Sequence, residues 1–259
     1  MQPVSWKLDG DVAWIEFGDP AAANLLDLPL LEALPLALNA AEDQARVAVL
    51  RGRGGTWSSG YAIDKIPAEL FDTDPAVVHA HPFERCMRAV ADCRVPTLAA
   101  LEGHAIGGAL ELAAACDLRL ATAGARFGIT AARLGLVYPF AGLERFWQLL
   151  GPATVRRLLF TGELVDTSEA ERIGLVHAVV PHEAFDANLD TWARRIASCA
   201  PLAVQGMKAT LRLFERAPMV SDATMRRMLA LRHDAYRSDD FREGCDAFAT
   251  KREPRFRGR

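Results

Sequence analysis

Two short apolar runs constrain this chain more than anything else in it: Val47–Leu50 and Thr97–Leu101, each reading as a strand covered on both faces, as in a parallel sheet between helices. Cys116–Ala121, which carries Asp117 and Arg119, makes a third strand. Helical stretches lie between and beside them: Pro75 to Val95, closed by Pro96, and a small-residue helix from Ile106 to Ala115. Strands alternating with helices in this order predict an α/β domain with crossover connections.

Upstream, Val4, Trp6 and Leu8, an Asp9-Gly10 turn, and then Val12 to Phe17 predict a hairpin. Leucines at 30, 31, 34 and 38 predict a helix over 26–41, imperfect at Pro35. Past residue 140 the one remaining strand run is Val176–Val180, and helices are predicted over Pro152–Phe160, Ser168–Ile173, His182–Cys199, Leu202–Arg216 and Met225–Thr250. A chain of 259 residues can bury a real core. We expect an α/β core over residues 1–195 and a helical C-terminal region over 196–259.

A formal net charge of −3 gives no basic field for nucleic acid. No apolar stretch reaches the roughly 20 residues needed to span a bilayer, and Met1–Asp9 does not have the pattern of a leader peptide. The five cysteines, Cys86, Cys93, Cys116, Cys199 and Cys245, are scattered and form no CxxC. That pattern predicts reduced thiols in a cytoplasmic protein, with neither a disulfide framework nor a zinc site.

Two glycine segments carry the chemistry. Trp57-Ser58-Ser59-Gly60-Tyr61-Ala62-Ile63 follows the first buried strand, and Glu102-Gly103-His104-Ala105-Ile106-Gly107-Gly108-Ala109-Leu110-Glu111 follows the second. Gly107-Gly108 opens a helix, where unpaired amides at the positive end of the dipole suit an oxyanion. Glycine there lets a ligand approach the backbone. The plainer reading, tight strand-to-helix packing, weighs about equally on these residues alone. His104 and His177 are read as structural.

The segments Ser58-Ser59-Gly60-x-x-Ile63 and Gly103-x-Ala105-x-Gly107-Gly108-x-x-Glu111 resemble the two signatures of the crotonase (enoyl-CoA hydratase/isomerase) superfamily. Asn24, Cys116-Asp117-Leu118-Arg119, Phe127-Gly128, Leu134-Gly135, Thr161-Gly162, Ala170-x-x-x-Gly174-Leu175-Val176 and Ala200-Pro201-Leu202-Ala203 extend the resemblance along the whole chain. It implies a spiral of β-β-α repeats with a helical C-terminal trimerisation region, and a homotrimer or dimer of trimers. It also implies a small-molecule acyl-CoA substrate, with coenzyme A part of that substrate and no separate cofactor or metal. By position, the oxyanion hole is the backbone amides of Tyr61 and Gly108. Ala62, Ile63, Asp64 and Lys65 line the substrate, and Phe248 and Lys251 on the last helix approach the CoA.

Hydratases of this superfamily use two glutamates. The first falls on Glu111, and the place of the second holds Ala131, which can neither give nor take a proton. The chain is most similar to the methylmalonyl-CoA decarboxylase subgroup, through Thr56-Trp57-Ser58-Ser59-Gly60, Phe127-x-x-Thr130, Tyr138, Ala235-Tyr236-x-Ser238-x-Asp240 and Pro254-x-Phe256. There, Tyr138 is implied to hold the substrate carboxylate and Thr130 to lie beside the acyl group. Glu111 is then free to deliver or relay a proton to the enolate. Decarboxylation of a malonyl-type thioester is the first expectation; hydration or isomerisation of a 2-enoyl-CoA, with Asp64 as a candidate second acid, is the second. A catalytically silent CoA-binding homologue is the third.

Overall fold

A computed structural model describes residues 2–61, 72–215 and 222–255. With strands numbered along the chain, the main sheet holds β1 (Val4–Asp9), β2 (Val12–Phe17), β3 (Val47–Gly52), β4 (Thr97–Leu101), β6 (Leu118–Thr122) and β9 (Ala178–Val180), in that spatial order. A smaller sheet holds β5 (Ala105–Ile106), β7 (Arg126–Gly128) and β8 (Val165–Asp166). The β1–β2 hairpin is antiparallel, and every later pairing in the main sheet is parallel.

The unbroken apolar runs have a direct cause. In β3 and β4, Ala48, Leu50, Ala99 and Leu101 face one core, shared with Leu30, Leu34 and Leu38 of helix α1 (Leu28–Glu42). The alternate residues Val47, Val49, Leu98 and Ala100 face a second core, closed by Phe185, Leu189 and Ala193 of helix α7 (Phe185–Ala197). Successive side chains point to opposite faces of a strand, so burial on both sides requires an apolar residue at every position.

The chain advances as a spiral. After β3, Ser58 bridges to Ala105 of the small sheet, and helices α2 (Pro75–Ala80) and α3 (Pro82–Asp92) follow. Then β4, β5 and helix α4 (Gly108–Ala115) make the next turn, and β6, β7 and helix α5 (Phe140–Thr161) the one after. The second and third turns each lay one strand in each sheet before the helix, and in the first the Ser58 bridge takes the small-sheet place, so the α/β class and the β-β-α repeat hold. Helices α6 (Thr167–Arg172), α8 (Pro201–Glu215), α9 (Asp222–Arg237) and α10 (Asp239–Ala249) complete the described chain.

Three helix expectations are corrected. The stretch from Pro75 to Val95 is two helices, because His81 is extended (φ −61°, ψ 138°) ahead of Pro82, and proline steers its predecessor out of the helical region. Helix α5 begins at Phe140 rather than Pro152 and breaks at Gly151, whose φ is 72°. The long C-terminal helix is divided at Ser238, whose hydroxyl accepts the Phe241 N–H at 3.0 Å and starts α10 afresh. Among the described residues no helix is long and apolar enough to cross a membrane.

Candidate active site

Stacking the spiral turns in register puts equivalent residues side by side. Ser58 pairs with Ala105, and Ala105 pairs with Phe127. Two residues beyond the first pair stand Gly60 (φ 90°) and Gly107 (φ 57°), each in the left-handed region that glycine adopts without strain. Three residues beyond the pair stand Tyr61 and Gly108, and three beyond Phe127 stands Thr130. The two expected amides and Thr130 thus hold corresponding positions on three successive turns.

The two loops are also pinned to each other. Asn24, at φ 51°, donates its side-chain amide to the carbonyls of Arg53 and Thr56 at 2.8 and 2.9 Å. Ser58 Oγ donates to Asn24 O at 2.7 Å and accepts the Gly60 N–H at 3.0 Å. The buried Trp57 indole donates to Ala109 O at 2.8 Å, which ties the first loop to α4. A Cβ on Gly108 would lie 3.5 Å from Tyr61 N and 3.2 Å from the Phe83 ring, and a Cβ on Gly60 would lie 3.9 Å from Gly108 N. Gly108 is the first residue of α4, so its N–H has no partner within the helix. Among the described residues no acceptor takes either the Tyr61 or the Gly108 N–H.

One turn into α4, Glu111 is fully buried. Arg145 of α5 donates to Glu111 Oε1 at 2.7 Å and supplies the counter-charge that a buried carboxylate needs. Glu111 Oε2 and the Tyr138 ring converge over Gly142: a Cβ there would come within 2.4 Å of Tyr138 Cε1 and 2.8 Å of Glu111 Oε2. The glycine is therefore required by volume, since any side chain would displace one of the two groups. Tyr138 Oη and Glu111 Oε2 are both buried, and neither closes a hydrogen bond of normal geometry with a described group. Burial first, and then the Glu111 carboxylate beside it, holds the Tyr138 phenol well above its ordinary pKa, so it remains a neutral donor.

The remaining expected residues fall in different places. Thr130 and Ala131 stand at the head of a short 3₁₀ turn, Ala131–Leu134, on which α10 packs: a Cβ on Gly244 would lie 2.6 Å from Leu134 O. Phe248, 63% exposed, stands near the end of α10, whereas Lys251, expected on that helix, is exposed beyond its last residue Ala249, at φ 53°. Nothing among the described residues brings either against the amide pair. Ala62, Ile63, Asp64 and Lys65 lie outside the described residues. Both histidines read as structural are tied to backbone: His104 Nδ1 accepts Arg126 N–H at 3.0 Å, and His177 Nδ1 accepts Arg119 N–H at 3.2 Å. Burial and then Arg119 push the His177 pKa down to about 4.

Arg145, Gly142 and Glu84 escaped the sequence reading. Arg145 follows Gly142 by three residues and so shares its helix face, but the helix itself went unrecognised before Pro152. Glu84 had a clearer signal. It is an acidic residue on the same stripe of α3 as Met87 and Ala91, and it is 1% exposed. A cavity of about 590 Å³ opens beside Gly135, His233, Asp234 and Arg237; none of the expected site residues lines it.

The family model for enoyl-CoA hydratase/isomerase matches residues 7–259. The chain belongs to the enoyl-CoA hydratase/isomerase family. Within that family it is 32% identical to (E)-benzylidenesuccinyl-CoA hydratase of Thauera aromatica, over 99% of both chains. A solved structure of methylmalonyl-CoA decarboxylase complexed with 2S-carboxypropyl CoA superposes with a TM-score of 0.92 at 28% identity, covering 100% of this chain and 99% of that one. An enoyl-CoA hydratase/isomerase from Pseudoalteromonas atlantica T6c reaches 0.83, also at 28% identity, over 98% and 100%. The family's acyl-CoA chemistry thus applies to this chain, and relatives with different reactions stand at nearly the same identity.

Proposed function

We propose that this protein decarboxylates a malonyl-type acyl-CoA thioester, with methylmalonyl-CoA as the reference substrate. Losing CO2 from such a thioester requires no base. It requires a sink for the electron pair and a carboxylate held out of the thioester plane. The Tyr61 and Gly108 amides are the sink, each donor of this kind contributing about 3 kcal/mol in the transition state. Tyr138, kept neutral, is the donor that orients the departing carboxylate.

The observation that carries the reading is the pairing of a neutral, buried phenol with a charge-compensated Glu111, where the third turn offers Thr130 and Ala131 in place of a second glutamate. The closer superposition on the decarboxylase supports it as well. The active species in this reading is a homotrimer or dimer of trimers. Exposed Leu202, Met207, Leu211 and Leu213 on α8 are apolar surface consistent with contact between copies.

The test is a paired assay of purified protein on methylmalonyl-CoA and crotonyl-CoA, with products followed by mass. We expect CO2 loss from the first and little hydration of the second. Rapid hydration of crotonyl-CoA without CO2 loss refutes the proposal and places the chain among the hydratases of its family.

A further inference from the structure

An oxyanion donor must point at the thioester oxygen as well as lie near it, and its direction is that of its peptide plane. In a trans peptide the N–H points opposite to the carbonyl of the residue before it. Whatever holds the carbonyl of Gly60 therefore aims the N–H of Tyr61, and whatever holds the carbonyl of Gly107 aims that of Gly108.

The two carbonyls are held in different ways. Gly107 O accepts the Glu111 N–H at 3.0 Å, so α4 aims its own donor. Gly60 lies in no helix or strand, and its carbonyl accepts the Leu26 N–H at 2.9 Å, from a segment far upstream in the chain. That segment grips the loop at further points. Ser59 N–H donates to Ala23 O at 2.9 Å, and Ser58 Oγ bridges Asn24 O and the Gly60 N–H. The Asn24 side-chain amide bonds the carbonyls of Arg53 and Thr56. The clamp is kept against opposing costs. Ala23 and Asn24 are both left-handed, at φ 49° and 51°, and the buried Asn24 Oδ1 finds no hydrogen-bond partner among the described residues. Local cost of this kind persists where the surrounding structure fixes a conformation, and here it fixes the loop that carries the first amide.

We propose that Asn24 and Ser58 are positioning residues for the first oxyanion donor: through the clamp at 23–26 they hold the Gly60–Tyr61 peptide in the plane that turns the Tyr61 N–H to the thioester oxygen. The side chains of Tyr61 and Gly108 take no part. Each donor belongs to a peptide whose carbonyl itself accepts a backbone N–H, so both N–H groups are polarised in the same sense. The inference rests on the thioester-enolate reading and adds to it the segment on which one donor depends and the other does not.

The test reads the thioester carbonyl directly. Propionyl-CoA carrying 13C at its carbonyl is saturated with purified protein, and infrared difference spectroscopy records the carbonyl stretch, which falls when donors polarise it. On wild type we expect the band to lie below that of the free thioester. Ser58→Ala should bring it part of the way back, and so, independently, should Asn24→Gly, which suits the left-handed backbone but lacks the side-chain bonds. Decarboxylation of methylmalonyl-CoA by either variant should slow about tenfold in kcat, with KM nearly unchanged. The loss is smaller than the roughly hundredfold cost of a donor removed outright, because the N–H is turned aside and not deleted. Leu189→Ala in the second core is the control for stability alone, and it should keep the wild-type band. A wild-type band in both Ser58→Ala and Asn24→Gly, or the same recovery in Leu189→Ala, overturns the positioning role and leaves the oxyanion reading intact. A wild-type protein whose bound thioester is not shifted overturns that reading, and the positioning role with it. A shift that depends on Ser58 without CO2 release from methylmalonyl-CoA sinks the decarboxylase reading and leaves the positioning role in place.

Discussion

The proposed amide pair and the acid cluster share helix α4, through Gly108 and Glu111, but are built in different ways. Tyr61 N and Gly108 N come from neighbouring turns of one spiral, each three residues beyond a strand pairing, so the parallel register itself sets their spacing. Glu111, Arg145 and Tyr138 come from α4, α5 and the loop before α5, and they meet only because Gly142 leaves room. The first arrangement is a property of backbone hydrogen bonding and tolerates many side chains. The second is a packing solution in which each member depends on the volume and charge of the others.

This contrast predicts that the two halves fail differently, and Arg145 gives the largest effect. Arg145→Met leaves the Glu111 charge buried without its partner, and we expect a loss of about 3–5 kcal/mol in unfolding free energy. Adding Glu111→Gln in the same chain should restore most of it, because no charge is then left stranded. Denaturant unfolding of the two variants checks this. A loss below about 1 kcal/mol in Arg145→Met would mean that the pair is peripheral to the fold.

The backbone half should lose activity at little cost in stability. Gly108→Pro removes the N–H at the first position of α4, where proline is tolerated because no intrahelical bond is made there. Gly108→Ala is its control, since it adds the same Cβ near Phe83 but keeps the amide. We expect kcat for the proline variant to fall about a hundredfold below that of the alanine variant, the weight of one oxyanion donor. Equal rates would show that the Gly108 N–H is not aimed at the thioester oxygen.

The same contrast explains what could be read in advance. The runs at 47–50 and 97–101 announced strands buried on both faces, and that burial is what the two cores require of them. The amide pair was reached through the family resemblance; its glycines alone, which the structure places at positive φ, left tight packing as an equal reading. The small sheet was not legible, since β5 and β8 are two residues long and carry no period. Nor was the acid cluster. Nothing in the spacing of Glu111 and Arg145, 34 residues apart, says that they touch. Glu84 was visible in principle as an acid on an apolar stripe, yet helix periodicity says only that such a residue is buried, and its neighbours follow from packing.

The smallest expected change in stability is also the sharpest test of the acid half. Tyr138→Phe removes a hydroxyl that is buried and closes no normal hydrogen bond with a described group, so its loss costs little folding energy. The ring stays, and with it the contacts to Phe146, at 5.9 Å between centroids, and over Gly142. We expect unfolding free energy to stay within about 0.5 kcal/mol of wild type and propionyl-CoA binding to be nearly unchanged. Decarboxylation should slow by at least about tenfold, through kcat more than KM, because the hydroxyl acts on the carboxylate as it departs. If binding and turnover fell together, Tyr138 would be a wall of the acyl pocket. The orienting role would then have to pass to a group on the third spiral turn, where Thr130 stands in register with the two amides.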